Sequence, residues 1–182
     1  MKHFTITVSL NLHKDMFKEF IFFIFAFLLV QADVISSELV DETQTETGCE
    51  PGWMDGHSVN LGCLKFGSEA VSYQEAHKIC HEAGAFLIEI FSKGQMDFMV
   101  MELALLETLT GARFYWGGGT DMNREGQWYW SHSLIPIEEF VWARGQPDGG
   151  ALSNYFVFND EDYMGEDYPS SSFAYALCQK MS

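Results

Sequence analysis

FYWGGGTDMNREGQWYWSHSLIPIEEFVWARGQPD (residues 114–148) is the stretch from which the fold of the chain can be read. Its aromatic strings, Phe114-Tyr115-Trp116 and Trp128-Tyr129-Trp130, are separated by Gly, Asp and Asn. The same texture continues through Phe140-Val141-Trp142, Tyr155-Phe156-Val157-Phe158 and Phe173-Ala174-Tyr175-Ala176-Leu177. Clusters of this kind suit a pleated, half-buried surface, and the breakers between them suit turns, so residues beyond Gly111 read as short strands joined by long loops. The run Gly117 to Gly119 has no following Lys and helix, which makes it strand backbone and not a phosphate cradle.

Upstream the period changes. Ser72 with Glu75 forms a capping box, after which Ala76, Ile79, Cys80 and Ala83 recur on one face until Gly84. Ser92 with Gln95 opens a second apolar-periodic run through Phe98, Met99, Leu103 and Leu106 that ends near Gly111. Helices followed by strands, without a βα repeat, define an α+β class. No internal repeat, low-complexity tract or Asn-x-Ser/Thr acceptor is present.

Residues 1–32 read as a signal peptide: Lys14 and Lys18 precede an unbroken apolar run from Phe20 to Val30, followed by Val30-Gln31-Ala32. That run is about half of the roughly 20 apolar residues needed to span a bilayer. Residues 33–48 are polar, acidic and aperiodic, as a solvated linker should be, and a single domain is expected over residues 49–182. The whole chain of 182 residues carries 10 basic and 26 acidic residues, a net charge of −16. Removing residues 1–32 leaves seven basic and 24 acidic residues, near −17, a surface that repels phosphate backbones and anionic lipid. Nucleic acid and membrane insertion are therefore excluded as partners, and the product is expected to be extracellular. Cys49, Cys63, Cys80 and Cys178 all follow the cleavage point, and an even number in an exported chain points to two disulfides, with three pairings open. Pairing 49 with 63 and 80 with 178 would give one local clasp and one long-range staple.

The order of these signals resembles the C-type lectin-like domain from Cys49 to Gln179. Cys49-Glu50-Pro51-Gly52-Trp53 with Cys63 is similar to the amino-terminal clasp of the family's long form. Ser72 to Ala76 with Cys80, Gly84, Ala85 and Leu87 resembles its first helix, with Tyr73 where Trp is commoner. Phe114 to Asp121 resembles the core strand, Gly117 standing in place of Ile. Gly126 to Trp130 resembles the aromatic hairpin, Trp142 with Gly145 to Asp148 the sugar loop, and Phe173 to Gln179 the closing strand. The family's second bridge is missing as a pair, its positions falling on Tyr155 and Ser170. The omitted ring of 16 residues corresponds to about 3 kcal/mol in the chain-entropy model, so this loop is expected to be more mobile than in relatives.

What the resemblance implies is a calcium site shared with a sugar. A hydrogen bond to a sugar hydroxyl gains only about 0.5–1.5 kcal/mol net, whereas a calcium ion takes six to eight oxygen ligands and can accept two neighbouring hydroxyls among them. Gln146 and Asp148 flank Pro147, and a cis Gln146-Pro147 bond is implied, which turns both side-chain oxygens toward one ion. Glu166 and Asp167 fall on the family's Asn-Asp pair and complete the expected ligand set for metal and sugar alike: Gln146, Asp148, Glu166 and Asp167. Ser153 stands where a further carboxylate belongs. The Gln-Pro-Asp wording resembles the galactose-type loop, yet Gly149, Gly150 and Ala151 offer no ring to stack on a sugar. The five Trp residues read as scaffold.

Other chemistry is weaker in the sequence. Asp160-x-Asp162 with Gly165 has the wrong spacing and end for an EF-hand. His77, Cys80 and His81 share a helix face, but Cys80 is better used in a bridge and no zincin Glu follows. No nucleophile elbow, paired acid or Ser/His/Asp order stands out, so the chain is not expected to be an enzyme. Two functions remain: a secreted, calcium-dependent lectin for terminal sugars on cell or microbial surfaces, or a lectin-like domain without sugar binding that recognises a protein or serves as an acidic extracellular matrix component. An oligomer would multiply a weak single-site affinity.

Overall fold

Ser72 and Ser92 cap helices as their spacing predicts. Ser72 Oγ accepts from the Glu75 N–H at 3.4 Å at the head of helix α1 (Tyr73–Glu82), and Ser92 Oγ accepts from the Gln95 N–H at 3.2 Å at the head of α2 (Lys93–Thr110). Neither cap closes as a reciprocal box. Glu75 pairs with Lys78, and Gln95 reaches back one residue further, accepting from the Phe91 N–H at 2.7 Å while donating to the Asn60 carbonyl at 3.1 Å. Gly84 (φ +67°) and Gly111 (φ +75°) then take the left-handed conformation that turns the chain out of each helix.

The computed structural model describes residues 48–181. The expected signal peptide, residues 1–32, and nearly all of the expected linker, 33–48, lie outside them. Eight strands follow in chain order: β1 (Met54–Asp55), β2 (Cys63–Val71), β3 (Phe86–Leu87), β4 (Tyr115–Thr120), β5 (Tyr129–Trp130), β6 (Tyr155–Phe158), β7 (Gly165–Tyr168) and β8 (Ala174–Lys180). They form one sheet in the order β1-β2-β8-β4-β6-β7, with β3 on β8 and β5 on β4. All pairs are antiparallel except β4 with β8. The class is α+β, as the change of period indicates.

Strand alternation sorts the core onto two faces. Tyr115, Phe156, Phe158 and Leu177 pack with Met96, Met99 and Leu103 of α2, while their strand neighbours Trp116, Val157, Ala176 and Cys178 pack with Tyr73, Ala76 and Cys80 of α1. The glycines of β4 make room for one ring: a Cβ on Gly119 would lie 2.6 Å from Phe156 Cβ, and one on Gly117 would lie 2.7 Å from Phe156 Cδ1. That close approach accounts for Gly117 where the family pattern has Ile.

The disulfides are Cys49–Cys63 and Cys80–Cys178. The first ties the opening segment to β2, and the second ties α1 to β8. Where the second family bridge would lie, the Tyr155 ring stacks on Tyr73 with centroids 4.0 Å apart, and Gln74 Nε2 donates to the Tyr155 hydroxyl at 3.4 Å. Burial of Tyr73 pushes its phenol up to about 12. Among the described residues no helix is long and apolar enough to cross a membrane.

Candidate functional site

Between β5 and β6 the chain runs 24 residues with little regular structure, and the site is built where this segment folds back on β7. Gln146 donates its N–H to the Ala143 carbonyl at 3.0 Å, closing a turn through Arg144 and Gly145, and Ala143 in turn donates its N–H to the Gly165 carbonyl at 2.8 Å. The Gln146-Pro147 bond is cis. Immediately after it, the Asp148 N–H donates to Asp167 Oδ1 at 3.0 Å and the Gly149 N–H to Asp167 Oδ2 at 2.8 Å. One buried carboxylate thus gathers two consecutive amides from a segment 18 and 19 residues away, and it fixes the Gln-Pro-Asp turn against the sheet.

Three of the four expected ligands belong to this turn or to its anchor. Asp167 anchors the turn, Asp148 follows it with its side chain exposed, and the Gln146 Oε1 is buried without any hydrogen-bond partner. An orphaned acceptor of that kind costs about 1–3 kcal/mol unless something donates to it or coordinates it. Gly149 sits over the same corner: a Cβ there would meet the Ser153 side chain and lie 2.9 Å from Asp167 Oδ2, which also brings Ser153 to the group. The donors are hard oxygens, and a buried Gln146 Oε1 left unsatisfied in a turn that a carboxylate anchors is chemistry that suits a hard cation such as calcium.

Glu166 is placed elsewhere. Successive residues of β7 face opposite sides, so its carboxylate is turned from that of Asp167 and accepts from Asn159 Nδ2 at 3.0 Å. Asn159 Oδ1 meanwhile accepts the N–H groups of Glu161, Asp162 and Tyr163 at 3.1, 3.1 and 2.9 Å and shapes the acidic hairpin tip. Burial raises the Glu166 carboxyl above its ordinary range, against the pull of the Asn159 bond, and Asp162, Glu161 and Asp160 push it the same way as burial. The structure commits this carboxylate to Asn159. Adjacency in the sequence suggested a pair; the pleat divides it.

The sequence also read all five Trp residues as scaffold, and all five pack in or against the core. Trp116 and Trp130 are fully buried, and Lys180 Nζ lies over the Trp53 ring at 4.3 Å. Trp128 and Trp142, edge to face at 4.8 Å, in addition line a groove of about 860 Å³ together with Arg124, Leu134, Glu139 and Gln146. The groove opens beside the cis-proline turn, because Gln146 and Pro147 form one of its walls. The clue was in the sequence: Trp142 precedes the Gln-Pro-Asp turn by four residues, too close to be remote from it.

The His/Cys group formed by Cys49, His57 and Cys63 offers no thiolate to a metal, since its two sulfurs are joined to each other. Cys80 is likewise spent in a bridge, so His77 and His81 gain no third ligand from it.

A two-helix fold around a sheet with one parallel pair, two disulfides and an oxygen-rich loop is the arrangement of a lectin-type domain. Residues 69–180 match the profile of the lectin C-type domain, and the chain belongs to that family. It is similar to perlucin of Haliotis laevigata, 27% identical over 137 residues that cover 73% of this chain and 83% of perlucin. A perlucin-like protein of Mytilus galloprovincialis is 25% identical over 100 residues, 55% of this chain and 61% of that protein. The chain spans 61%, 48% and 22% of the length of the first three curated relatives. Among solved structures, the carbohydrate-recognition domain of the mouse scavenger receptor C-type lectin shares the fold at a TM-score of 0.63, with 22% identity over 74% of this chain and 98% of that one.

Proposed function

We propose that residues 49–182 are a secreted carbohydrate-binding domain whose sugar site forms at the Gln146-Pro147-Asp148 turn with calcium as cofactor. The observation that carries the reading is the buried, unpartnered Gln146 Oε1 in the turn that the Asp167 carboxylate organises. Gln146, Asp148 and Asp167 would hold the ion. Bound there, calcium supplies a positive centre to which two neighbouring sugar hydroxyls add as oxygen ligands.

The protein's own part is orientation. Asp167 spends one lone pair of each oxygen on the turn and keeps the others, since a carboxylate offers about four acceptor sites. Asp148 presents an exposed carboxylate able to accept from a sugar hydroxyl, and the Gln146 amide can donate as well as accept. Signal-peptide cleavage at residue 32 and an acidic linker fit delivery to the extracellular side, where calcium is abundant and disulfides persist.

Calcium titration followed by melting temperature tests the metal, and retention on immobilised sugars with release by EDTA tests the ligand. A ligand at 100 times its Kd stabilises by about 2.7 kcal/mol, a shift of several degrees in a domain of this size. No shift and no retention would transfer the domain to the second reading, a protein-binding or acidic matrix component, for which Ser153 in a carboxylate position and the displacement of Glu166 speak.

A further inference from the structure

The basic side chains of this acidic protein are unevenly used. Among the described residues, Lys78, Lys93, Lys180 and Arg113 each pair with a carboxylate, and Lys65 lies over the Trp53 ring at 5.6 Å. Arg124 and Arg144 make no ion pair. Arg124 lines the groove, and Arg144 occupies the turn between two groove-lining residues, Trp142 and Gln146, without itself lining it.

From this we infer that the groove of Trp128 and Trp142 takes an anionic saccharide unit, its acid group bound by Arg124 with help from Arg144, next to the cis-proline turn. The inference rests on the carbohydrate reading and narrows the kind of sugar. Three features carry it.

The first is charge. Glu139 lines the same groove, but Arg124 forms no ion pair with it or with any other described carboxylate. At physiological ionic strength the wider acidic surface is screened beyond about 8 Å, so a ligand's acid group responds mainly to what lies within the groove. A guanidinium can donate two parallel hydrogen bonds to a planar carboxylate or to two oxygens of a tetrahedral sulfate.

The second is preorganisation. The loop that carries Arg124 is tied to a buried carboxylate: Gly126 donates its N–H to Asp121 Oδ2 at 2.8 Å and Arg124 its N–H to the Asp121 carbonyl at 2.8 Å. The loop backbone is therefore fixed before any ligand arrives.

The third is shape. About 860 Å³ lies within the range of small-ligand sites and suits two or three sugar rings. Trp142 is braced from behind by Phe156 at 5.2 Å, and together with Trp128 it offers the apolar surface against which the C–H face of a pyranose can lie. Gly149 to Ala151 lack such a surface, and the groove supplies it from a different segment. The Gln146 amide and the Glu139 carboxylate remain for hydroxyls.

Two matched pairs of probes isolate the charge: trigalacturonate against its methyl ester, and 3′-sulfated lactose against lactose, each titrated calorimetrically into the folded, disulfide-bonded protein with calcium present. A hydrogen bond to a charged group is worth enough to favour the acid over its neutral partner by about tenfold in at least one pair. Which pair shows the preference tells carboxylate from sulfate. In the R124Q/R144Q double variant the ratio of acid to neutral affinity falls toward one, with the melting temperature as the check that the fold is kept. Equal affinity within both pairs for the unaltered protein, or a ratio unchanged in the double variant, overturns the inference and leaves the carbohydrate reading standing. Failure of all four probes to bind, with no retention on sugar columns, overturns both.

Discussion

Asp148 and Asp167 are both acidic and adjacent in space, but they bear different loads. Asp148 gives the fold its backbone N–H; Asp167 gives it both carboxylate oxygens. Asp148→Ala therefore keeps every hydrogen bond of the turn, and the expected outcome is a metal-free stability within about 0.5 kcal/mol of the parent with the calcium-induced rise in melting temperature abolished. Asp167→Ala removes the acceptor of two part-buried amide hydrogen bonds and should cost about 1 kcal/mol even without calcium. Thermal unfolding with and without calcium separates the two, and equal losses in the metal-free state would make Asp148 a structural residue as well. Glu166 supplies a third comparison. Glu166→Gln retains an acceptor for Asn159 and is expected to leave the calcium response in place; its loss would return that carboxylate to the cage.

At the level of elements, the acidic hairpin between β6 and β7 is fastened to the end of α2. Tyr163, held at φ 60°, donates its hydroxyl to Glu107 Oε2 at 2.6 Å, while Arg113 bridges Glu107 Oε1 at 3.0 Å and Asp160 at 3.1 Å. The Tyr163 bond first, and Arg113 next, hold the Glu107 carboxyl below its ordinary range. A depressed carboxyl stabilises the fold above its unfolded pKa, and that contribution fades as pH falls through the folded one. Tyr163→Phe should accordingly lower the melting temperature at neutral pH and converge with the parent in acid; a gap independent of pH would mean that packing of the ring, not its hydroxyl, is what counts. The stack of Tyr155 on Tyr73 makes a comparable case where the family's second bridge is missing. Tyr155→Phe keeps the stack, whereas Tyr155→Ala opens a cavity at a cost of about 3–5 kcal/mol in chemical denaturation. Helices, caps and the aromatic strands were legible because capping and periodicity are local. The cis bond of the Gln-Pro-Asp turn was legible only through the family resemblance, with X-Pro chemistry keeping its cost low. The orientation of Glu166 and the groove walls of Trp128 and Trp142 were not, since the first depends on strand register and the second on how a long irregular segment folds back over the sheet.

For the whole molecule, the two disulfides divide the labour unequally. Cys80–Cys178 spans 98 residues and joins α1 to the central strand β8, whereas Cys49–Cys63 spans 14 and pins only the opening segment to β2. In the chain-entropy model the rings are worth about 4.7 and about 3 kcal/mol. Set against a net stability of about 5–15 kcal/mol for a domain, the longer one is decisive, and β8 is the strand that β2, β3 and β4 all pair with. Its loss would therefore release both faces of the core together. A Cys80→Ser/Cys178→Ser variant is expected to be largely unfolded at physiological temperature by circular dichroism, with no calcium response. Cys49→Ser/Cys63→Ser should remain folded at a lowered melting temperature and keep that response, because the Gln146 turn, Asp167 and the groove all lie on segments the short clasp does not touch. If the two variants instead unfold alike, β1 and its clasp are an integral part of the core, and the binding loop depends on the far end of the sheet as much as on the strand beneath it.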